Sequence, residues 1–497
     1  MIASLLAAML AAPTVYYTVT VASPADQTAV VDATFSTDGR QALDLMMPIW
    51  SPGFYKIENY ATRIVSLTAK SATGAPLAVE HPADNRWHIS TAGASAVVVS
   101  YRLTCRERSV TTNWVDADYA VLTGPATFIN DTSPGTRSYD VQLELPASWR
   151  RSMTGLAGAP DGRPNHYVAP DYDTLVDSPI VAGNPAVQEF DVRGAHHTVV
   201  EIGNVDGFDA PRAAADLQKI VEAQAALWGG LPFKTYAFLL VFRPGGGGLE
   251  HENSMLATTR ANATATPEAY LTWLNFISHE YCHAFNVKRL RPVELGPFDY
   301  EREPHTTGLW ISEGFTSYLA ELAVQRAGLA TRNDVLHSLS TKIDQLQHTP
   351  GRLRQTLEQS SADVWTSESI SGVNTNRDTS VSYYLKGEIV GFLLDAKIRR
   401  ATNGAKTLDD LMRVALGRFG GEHGFTADQF RRTASEVSGV DLAPWFASAT
   451  ASTDELNYAD ALDWFGLRFA PNTFTIEPLP EPSREQGSQL SAWLPQP

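Results

Sequence analysis

The sequence predicts an α+β chain of more than one domain, an antiparallel β-sandwich-like domain followed by a mainly helical region. Three observations predict it. The 497 residues exceed what one hydrophobic core holds. As far as Asn204, short runs alternate polar and apolar residues between Gly, Pro, Asp and Ser clusters, the pattern of half-buried strands. Beyond Asp206 the apolar spacing becomes helical. Charged residues at 19% and hydrophobic ones at 43% fit a soluble, folded chain.

Met1 to Ala12 is almost wholly apolar and small, has a small-residue, Ala-x-Ala type end near Ala12 and precedes Pro13. That is the core of a secretory signal, so the expectation is an exported protein, periplasmic or extracellular. A positive n-region is missing, and a buried first strand in a cytoplasmic protein is the alternative. No other uncharged apolar stretch is long enough to span a bilayer. Residues 13–205 form the expected β domain. Its strands include Tyr16-Tyr17-Thr18-Val19-Thr20-Val21 and Ser95-Ala96-Val97-Val98-Val99-Ser100-Tyr101.

Helical spacing runs from Asp209 to Trp228, with Leu217, Ile220, Val221 and Leu227 as its apolar positions. Tyr236 to Phe242 reads as a strand, Pro244 and Gly245 to Gly248 as a flexible turn, and a short strand leads toward Thr259. Thr266-Pro267-Glu268 is a helix start: a cap, a first-turn proline and an acid. That helix is expected to continue toward Pro292, with Lys288, Arg289 and Arg291 suiting the dipole at its end. Further helices are expected near Leu309–Ala327, stopped by Gly328, near Arg332–Gln347 and near Ser382–Arg400. Residues 206–405 are expected to form the catalytic domain and 406–470 its C-terminal helical part. Residues 471–497, rich in Pro, Glu, Ser and Gln, are expected to be a disordered tail.

Inside the helix that starts at Thr266 stands His279-Glu280-Tyr281-Cys282-His283. Residues four apart share one helix face, so both imidazoles can grip one metal ion. Glu280 can then reach a metal-bound water and take its proton as general base, which is the core of zinc-dependent peptide hydrolysis. Catalytic zinc takes three protein ligands. Glu313 is the expected third, because it stands in the apolar stretch Trp310-Ile311-Ser312-Glu313-Gly314-Phe315, where a carboxylate has little reason to be merely solvated. Glu294, Glu301 and Glu303 lie in a polar connection and read as surface charges. Glu321 reads as an exposed helix charge.

A tetrahedral oxyanion needs a hydrogen-bond donor beyond the metal. Tyr383 and Tyr384, at the start of a helix, are both candidates. Glu250 follows the glycine run and could pair with a free α-amino group, or be a plain loop glutamate. No Gly-Lys-Ser/Thr follows the glycines, so they do not form a phosphate loop. Cys105 and Cys282 are expected to be free buried thiols, and no CxxC spacing makes either a zinc ligand. The net charge of −16 argues against nucleic acid as a partner.

Five pieces occur in order: Met47-Pro48-Ile49-Trp50-Ser51-Pro52-Gly53-Phe54-Tyr55; Gly247-Gly248-Leu249-Glu250-His251; the HExxH with Ala284-Phe285-Asn286-Val287-Lys288-Arg289; Trp310-Ile311-Ser312-Glu313-Gly314; and Tyr384-Leu385-Lys386-Gly387. Together they resemble the glycyl aminopeptidase family of gluzincin zinc peptidases, from the β region to about Phe465. Thermolysin and the leukotriene hydrolase–type aminopeptidases are relatives of that family. The resemblance implies an N-terminal β domain, a thermolysin-like catalytic domain and one zinc per chain. It supports His279, His283 and Glu313 as ligands and Glu280 as base, and it favours Tyr384 over Tyr383 as oxyanion donor. It makes Gly247, Gly248 and Glu250 part of a substrate-binding strand whose glutamate holds the free amine. His251 replaces the Asn found there in relatives. The family typically carries a PDZ domain after its helical region, and the residues after Phe465 are too few for one.

The expected function is therefore a zinc aminopeptidase acting on peptides with a free N-terminus, with small first residues such as Gly or Ala implied by the resemblance. A thermolysin-like endopeptidase and an inactive peptide-binding protein are the alternatives.

Overall fold

The computed structural model describes residues 13–366 and 376–496. The apolar segment Met1–Ala12 lies outside the described residues. The chain divides into two compact units: Met1–Ser51 with Glu58–Pro185, and Pro52–Ile57 with Ala186–Pro497.

The first unit is built from sheets of eight, four and four strands. Its long strands alternate buried and half-buried residues, because successive side chains leave opposite faces of a strand. Val15, Tyr17 and Val19 therefore join Ala29, Val31, Ala33, Phe35, Val97, Val99, Tyr101 and Leu103 in the core. Two of its buried phenols are satisfied by main chain: Tyr17 donates to the Ile129 carbonyl at 2.6 Å and Tyr101 to that of Thr127 at 2.7 Å. The expectation of a wholly antiparallel domain needs one correction. Thr14–Thr20 pairs parallel with Ser138–Glu144. Alternation identifies strands and says nothing about which distant strand each will meet.

The second unit opens with a five-stranded sheet in the spatial order Ala186–Val192, Ala195–Gly203, Thr235–Phe242, Ser254–Thr259, Gly248–Glu250. The β region read as one domain to residue 205 is corrected here to end at Pro185. Ala195–Gly203 pairs parallel with Thr235–Phe242, which ties the preceding hairpin to the helical unit. The central strands Thr235–Phe242 and Ser254–Thr259 are buried almost throughout, as parallel strands covered on both faces are.

Helices follow at Ala210–Trp228, Pro267–Cys282, Phe315–Arg326, Arg332–Gln347 and Tyr383–Ala401. Asp209 caps the first and Gly229, at φ 84°, ends it in the left-handed conformation. The helix Pro267–Cys282, the motif helix, stops well short of Pro292. Its cap residue His283 turns the chain, so the cations 288–291 lie beyond its end. A single π-helical turn, Trp310–Gly314, precedes Phe315–Arg326. Such turns insert one extra residue per turn and commonly sit at functional positions.

The tail is also a correction. Leu467–Phe469 pairs with Ile476–Pro478, and Arg484–Trp493 is a helix whose Ser483 and Gln486 form a capping box. Trp493 and Leu494 are fully buried, and the Trp493 indole donates to the Tyr318 hydroxyl at 2.9 Å. Polar composition suggested disorder, but Leu490, Trp493 and Leu494 sit three and four apart on one helix face and find a core to fill. Cys105 and Cys282 are both free and buried. Among the described residues no helix is long and apolar enough to cross a membrane.

Candidate metal centre and active site

The motif helix begins where Thr266 accepts from the Ala269 amide at 3.2 Å and Pro267 needs no donor. Tyr270, Trp273, Leu274, Ile277 and Tyr281 form its buried stripe. Three polar contacts fix its rotation. Ser278 donates to the Ala320 carbonyl at 3.0 Å, and Gln224 donates to the Ser278 carbonyl at 3.3 Å. Tyr281 hydrogen-bonds His197 Nε2 at 3.0 Å, while His197 Nδ1 donates to the Ala195 carbonyl at 3.1 Å. His197 is fully buried, and desolvation pushes its pKa down to about 4, so it is the neutral acceptor of the tyrosine hydroxyl.

So held, the helix aims His279 and His283 at Glu313. The three nearest atoms are His279 Nε2, His283 Nε2 and Glu313 Oε2, separated by 2.9, 3.4 and 3.2 Å. Ligand atoms at about 2.0–2.1 Å around a tetrahedral zinc stand roughly 3.3 Å apart. The donor chemistry fits as well. His283 Nδ1 donates to the Asn286 carbonyl at 2.9 Å. His279 Nδ1 lies 3.2 Å from Ser317 Oγ, whose hydroxyl is committed to the Glu313 carbonyl at 3.0 Å. Both rings therefore turn their Nε2 lone pairs inward. Glu313 Oε2 is buried without a hydrogen bond among the described residues. Two lone pairs and a carboxylate oxygen converging on one point call for a cation, and among the described residues these three form the one cluster able to hold a metal ion. Without metal a proton takes that place. Burial opposes it, but the carboxylates of Glu313 and Glu250 push His283 up to about 10, and the imidazoles hold Glu313 below the usual carboxylate range despite its burial. A dication would displace that proton.

Two features that position Glu313 escaped the sequence reading. Asn286 is fully buried and its amide donates to the carbonyls of Ile311 (2.8 Å) and Ser312 (3.2 Å) and to Thr316 Oγ1 (3.0 Å). One residue thus orients the His283 ring through its carbonyl and holds the Glu313 turn through its side chain. The same turn lies against the helix Tyr383–Ala401 at Gly314 and Gly387. A Cβ on Gly314 would stand 2.4 Å from the Gly387 carbonyl carbon, so only glycine permits this approach.

Glu280 is buried, and burial, with Glu250 and Glu313 nearby, raises its pKa to about 8 although His283 opposes the rise. Its carboxylate lies against Gly248, where a Cβ would be 2.3 Å from Oε1. Gly248–Glu250 is the edge strand of the sheet, and Gly247 precedes it at φ 112° with its carbonyl accepting from Thr258 N at 2.9 Å. Glu250 is buried, and its Oε1 makes no hydrogen bond among the described residues. Desolvation raises its pKa, against the pull of His283 and Lys288. Tyr384 is half-buried and its ring stacks 6.1 Å from that of His279, whereas Tyr383 is fully buried behind it. Burial and the Glu313 charge raise the Tyr384 pKa well above its ordinary value, keeping the phenol a donor.

The structure thus brings His279, Glu280, His283, Glu313, Gly248 and Glu250 together, with Tyr384 against His279. It adds Gly53, whose Cβ would stand 2.5 Å from Glu250 Oε1. Gly53 and Tyr55 lie in the Met47–Tyr55 string, so that string carried the signal. Glu321 is corrected: it is half-buried, and Lys342 bridges it to Glu388 at 2.5 Å each. Glu294 is exposed, as expected.

Two family profiles match the chain: the Peptidase M61 N-terminal domain over residues 16–184 and M61 glycyl aminopeptidase over residues 272–390. No protein of curated function matches in sequence. Among solved structures, an aminopeptidase N family protein from Idiomarina loihiensis is 26% identical with a TM-score of 0.85, covering 91% of this chain and 78% of its own. An M1 zinc metallopeptidase from Deinococcus radiodurans, a mutant bound to a Tyr-Ser-Ala substrate, is 13% identical with a TM-score of 0.54 over 90% of this chain and 95% of its own. Yeast LTA4 hydrolase in complex with bestatin is 15% identical, with a TM-score of 0.52 over 95% of this chain and 69% of its own.

Proposed function

The chain belongs to the M61 glycyl aminopeptidase family, and we propose that it is a zinc-dependent aminopeptidase removing small first residues, Gly or Ala, from peptides. The observation that carries the exopeptidase reading is the buried Glu250 carboxylate, whose Oε1 has no hydrogen bond among the described residues, on the strand whose Gly248 abuts Glu280. A buried carboxylate oxygen left without a hydrogen bond suits a ligand cation, and a peptide's α-ammonium is one.

His279, His283 and Glu313 would hold the zinc. When bound, the ion supplies Lewis acidity, polarising the carbonyl to be attacked and favouring ionisation of water. Glu280 takes a proton from the attacking water. The water oxygen bonds to the carbonyl carbon, the peptide C–N bond breaks, and Glu280 passes the proton to the departing amine. Tyr384 donates its hydroxyl hydrogen to the oxyanion. Glu250 binds the α-ammonium and fixes which bond meets Glu280. The edge strand Gly248–Glu250 offers backbone groups to an extended substrate.

The test compares Gly-peptides with their N-acetylated forms, using zinc-loaded protein and the Glu280→Gln variant. The reading predicts cleavage of the free-amine peptides only, abolished by Glu280→Gln and by a chelator. Equal cleavage of both peptide forms would point to an endopeptidase, and indifference to Glu280→Gln would point to a binding protein.

A further inference from the structure

Resting on the aminopeptidase reading, we propose that Arg289 is a positioning residue. It fixes the distance between the Glu250 amine anchor and the His279–His283–Glu313 centre, and so selects an amine one carbon from the scissile carbonyl. Arg289 has no helix end to serve, because the motif helix stops at Cys282. The chain turns back instead. Val287 takes φ 103°, a costly conformation for a β-branched residue, and its amide donates to the Leu290 carbonyl at 2.9 Å. The amides of Arg289 and Leu290 both donate to the Phe285 carbonyl, at 3.3 and 2.8 Å. This fold returns the Arg289 guanidinium to the end of the helix it has just left.

There it meets the turn His251–Asn253, which joins the edge strand Gly248–Glu250 to its neighbour Ser254–Thr259. Arg289 Nη1 donates to the carbonyls of Ala284 and Glu252, each at 2.7 Å. Nη2 donates to Asn253 Oδ1 at 2.9 Å and lies 3.2 Å from Glu252 Oε1. The guanidinium rests 5.6 Å from the centre of the Phe233 ring, and the side chain is only 13% exposed. Its own carbonyl accepts from the Gly421 amide at 2.8 Å, so the base of the side chain is pinned as well. Ala284 directly follows the ligand His283, and Glu252 stands two residues beyond Glu250. One rigid, planar group therefore ties the chain that carries a metal ligand to the chain that carries the amine anchor. A lysine, with a single nitrogen, does not span these contacts. The anchor strand is three residues long and stands at the edge of its sheet, so this tie decides how far Glu250 sits from the metal centre.

The experiment measures kcat/KM for Gly-aminomethylcoumarin and β-alanyl-aminomethylcoumarin, whose amine lies one methylene further from the carbonyl. The proteins are zinc-loaded full-length wild type, Arg289→Gln, Arg289→Lys and Asn253→Ala, with zinc content read by mass spectrometry. Wild type should favour Gly. Both Arg289 variants should retain zinc and raise the β-alanyl/Gly ratio about tenfold or more, the discrimination one methylene carries. Asn253→Ala leaves the two carbonyl contacts in place and should raise the ratio by a smaller factor. It decides the matter should the Arg289 variants fold poorly. A merely structural role lowers both rates in proportion and leaves the ratio alone. A ratio unmoved in every variant that folds, zinc lost from the Arg289 variants, or a wild type that cleaves both substrates equally overturns the assignment. The aminopeptidase reading is judged separately, on wild-type discrimination between free and acetylated peptides, so the two failures are distinguishable.

Discussion

Gly248→Ala is the substitution whose effect the geometry of the site fixes most closely. The added Cβ would stand 2.3 Å from Glu280 Oε1, 2.5 Å from Cδ and 2.9 Å from Cγ, where ordinary contact begins at 3.4 Å. Restoring contact displaces the Glu280 carboxylate by about 1 Å, and a misplacement of that size costs roughly a hundredfold in rate. A hundredfold corresponds to about 2.7 kcal/mol of transition-state stabilisation. The backbone at Gly248 is extended and accepts alanine, so folding is unaffected. The assay is kcat and KM on Gly-aminomethylcoumarin beside zinc content by mass spectrometry. Expected is a fall in kcat of about two powers of ten, with zinc retained. Gly246→Ala is the control, because nothing lies within 4 Å of a Cβ there. Unchanged kcat in Gly248→Ala, or an equal loss in Gly246→Ala, would refute the placement of Glu280 as base.

Three other outcomes follow from the same geometry. Tyr384→Phe should lower kcat by about two to three powers of ten with zinc retained, the cost of one lost oxyanion donor, and unchanged kcat would move that role elsewhere. His197 is neutral when folded, with its pKa near 4 against an ordinary 6.5, so the unfolded chain binds the extra proton first. Its contribution is present above pH 6.5 and lost as pH falls toward 4, about 3 kcal/mol in all. Melting temperatures from pH 7.5 to 5 should therefore fall less in His197→Gln than in wild type, and parallel curves would contradict this. Trp493→Ala should cost about 3–5 kcal/mol, read by denaturant midpoint, and a neutral effect would mean that the C-terminal helix does not brace Tyr318.

The motif helix was legible because its logic is local. A cap, a proline and two histidines four apart need no tertiary knowledge. Glu313 was legible for a related reason: an acid inside an apolar run must be buried, and buried acids are paired or liganded. Asn286 and Ser317 were not, because each looks like any polar residue until the fold places its donors and acceptors. Gly53 lies some 200 residues from Glu250 in sequence, so only the resemblance of its string hinted at a role. The division at Pro185 was hidden because residues 195–203 alternate like the strands before them, and their membership is decided by parallel pairing with Thr235–Phe242. The tail misled through composition, which averages over the three apolar residues that anchor it.

Anomalous diffraction at the zinc edge, from crystals of protein produced with ample zinc, tests the central claim most directly. The account predicts one peak per chain, about 2 Å from His279 Nε2, His283 Nε2 and a Glu313 oxygen, lost in Glu313→Ala. A zinc-replete crystal with no peak among these three residues would contradict it.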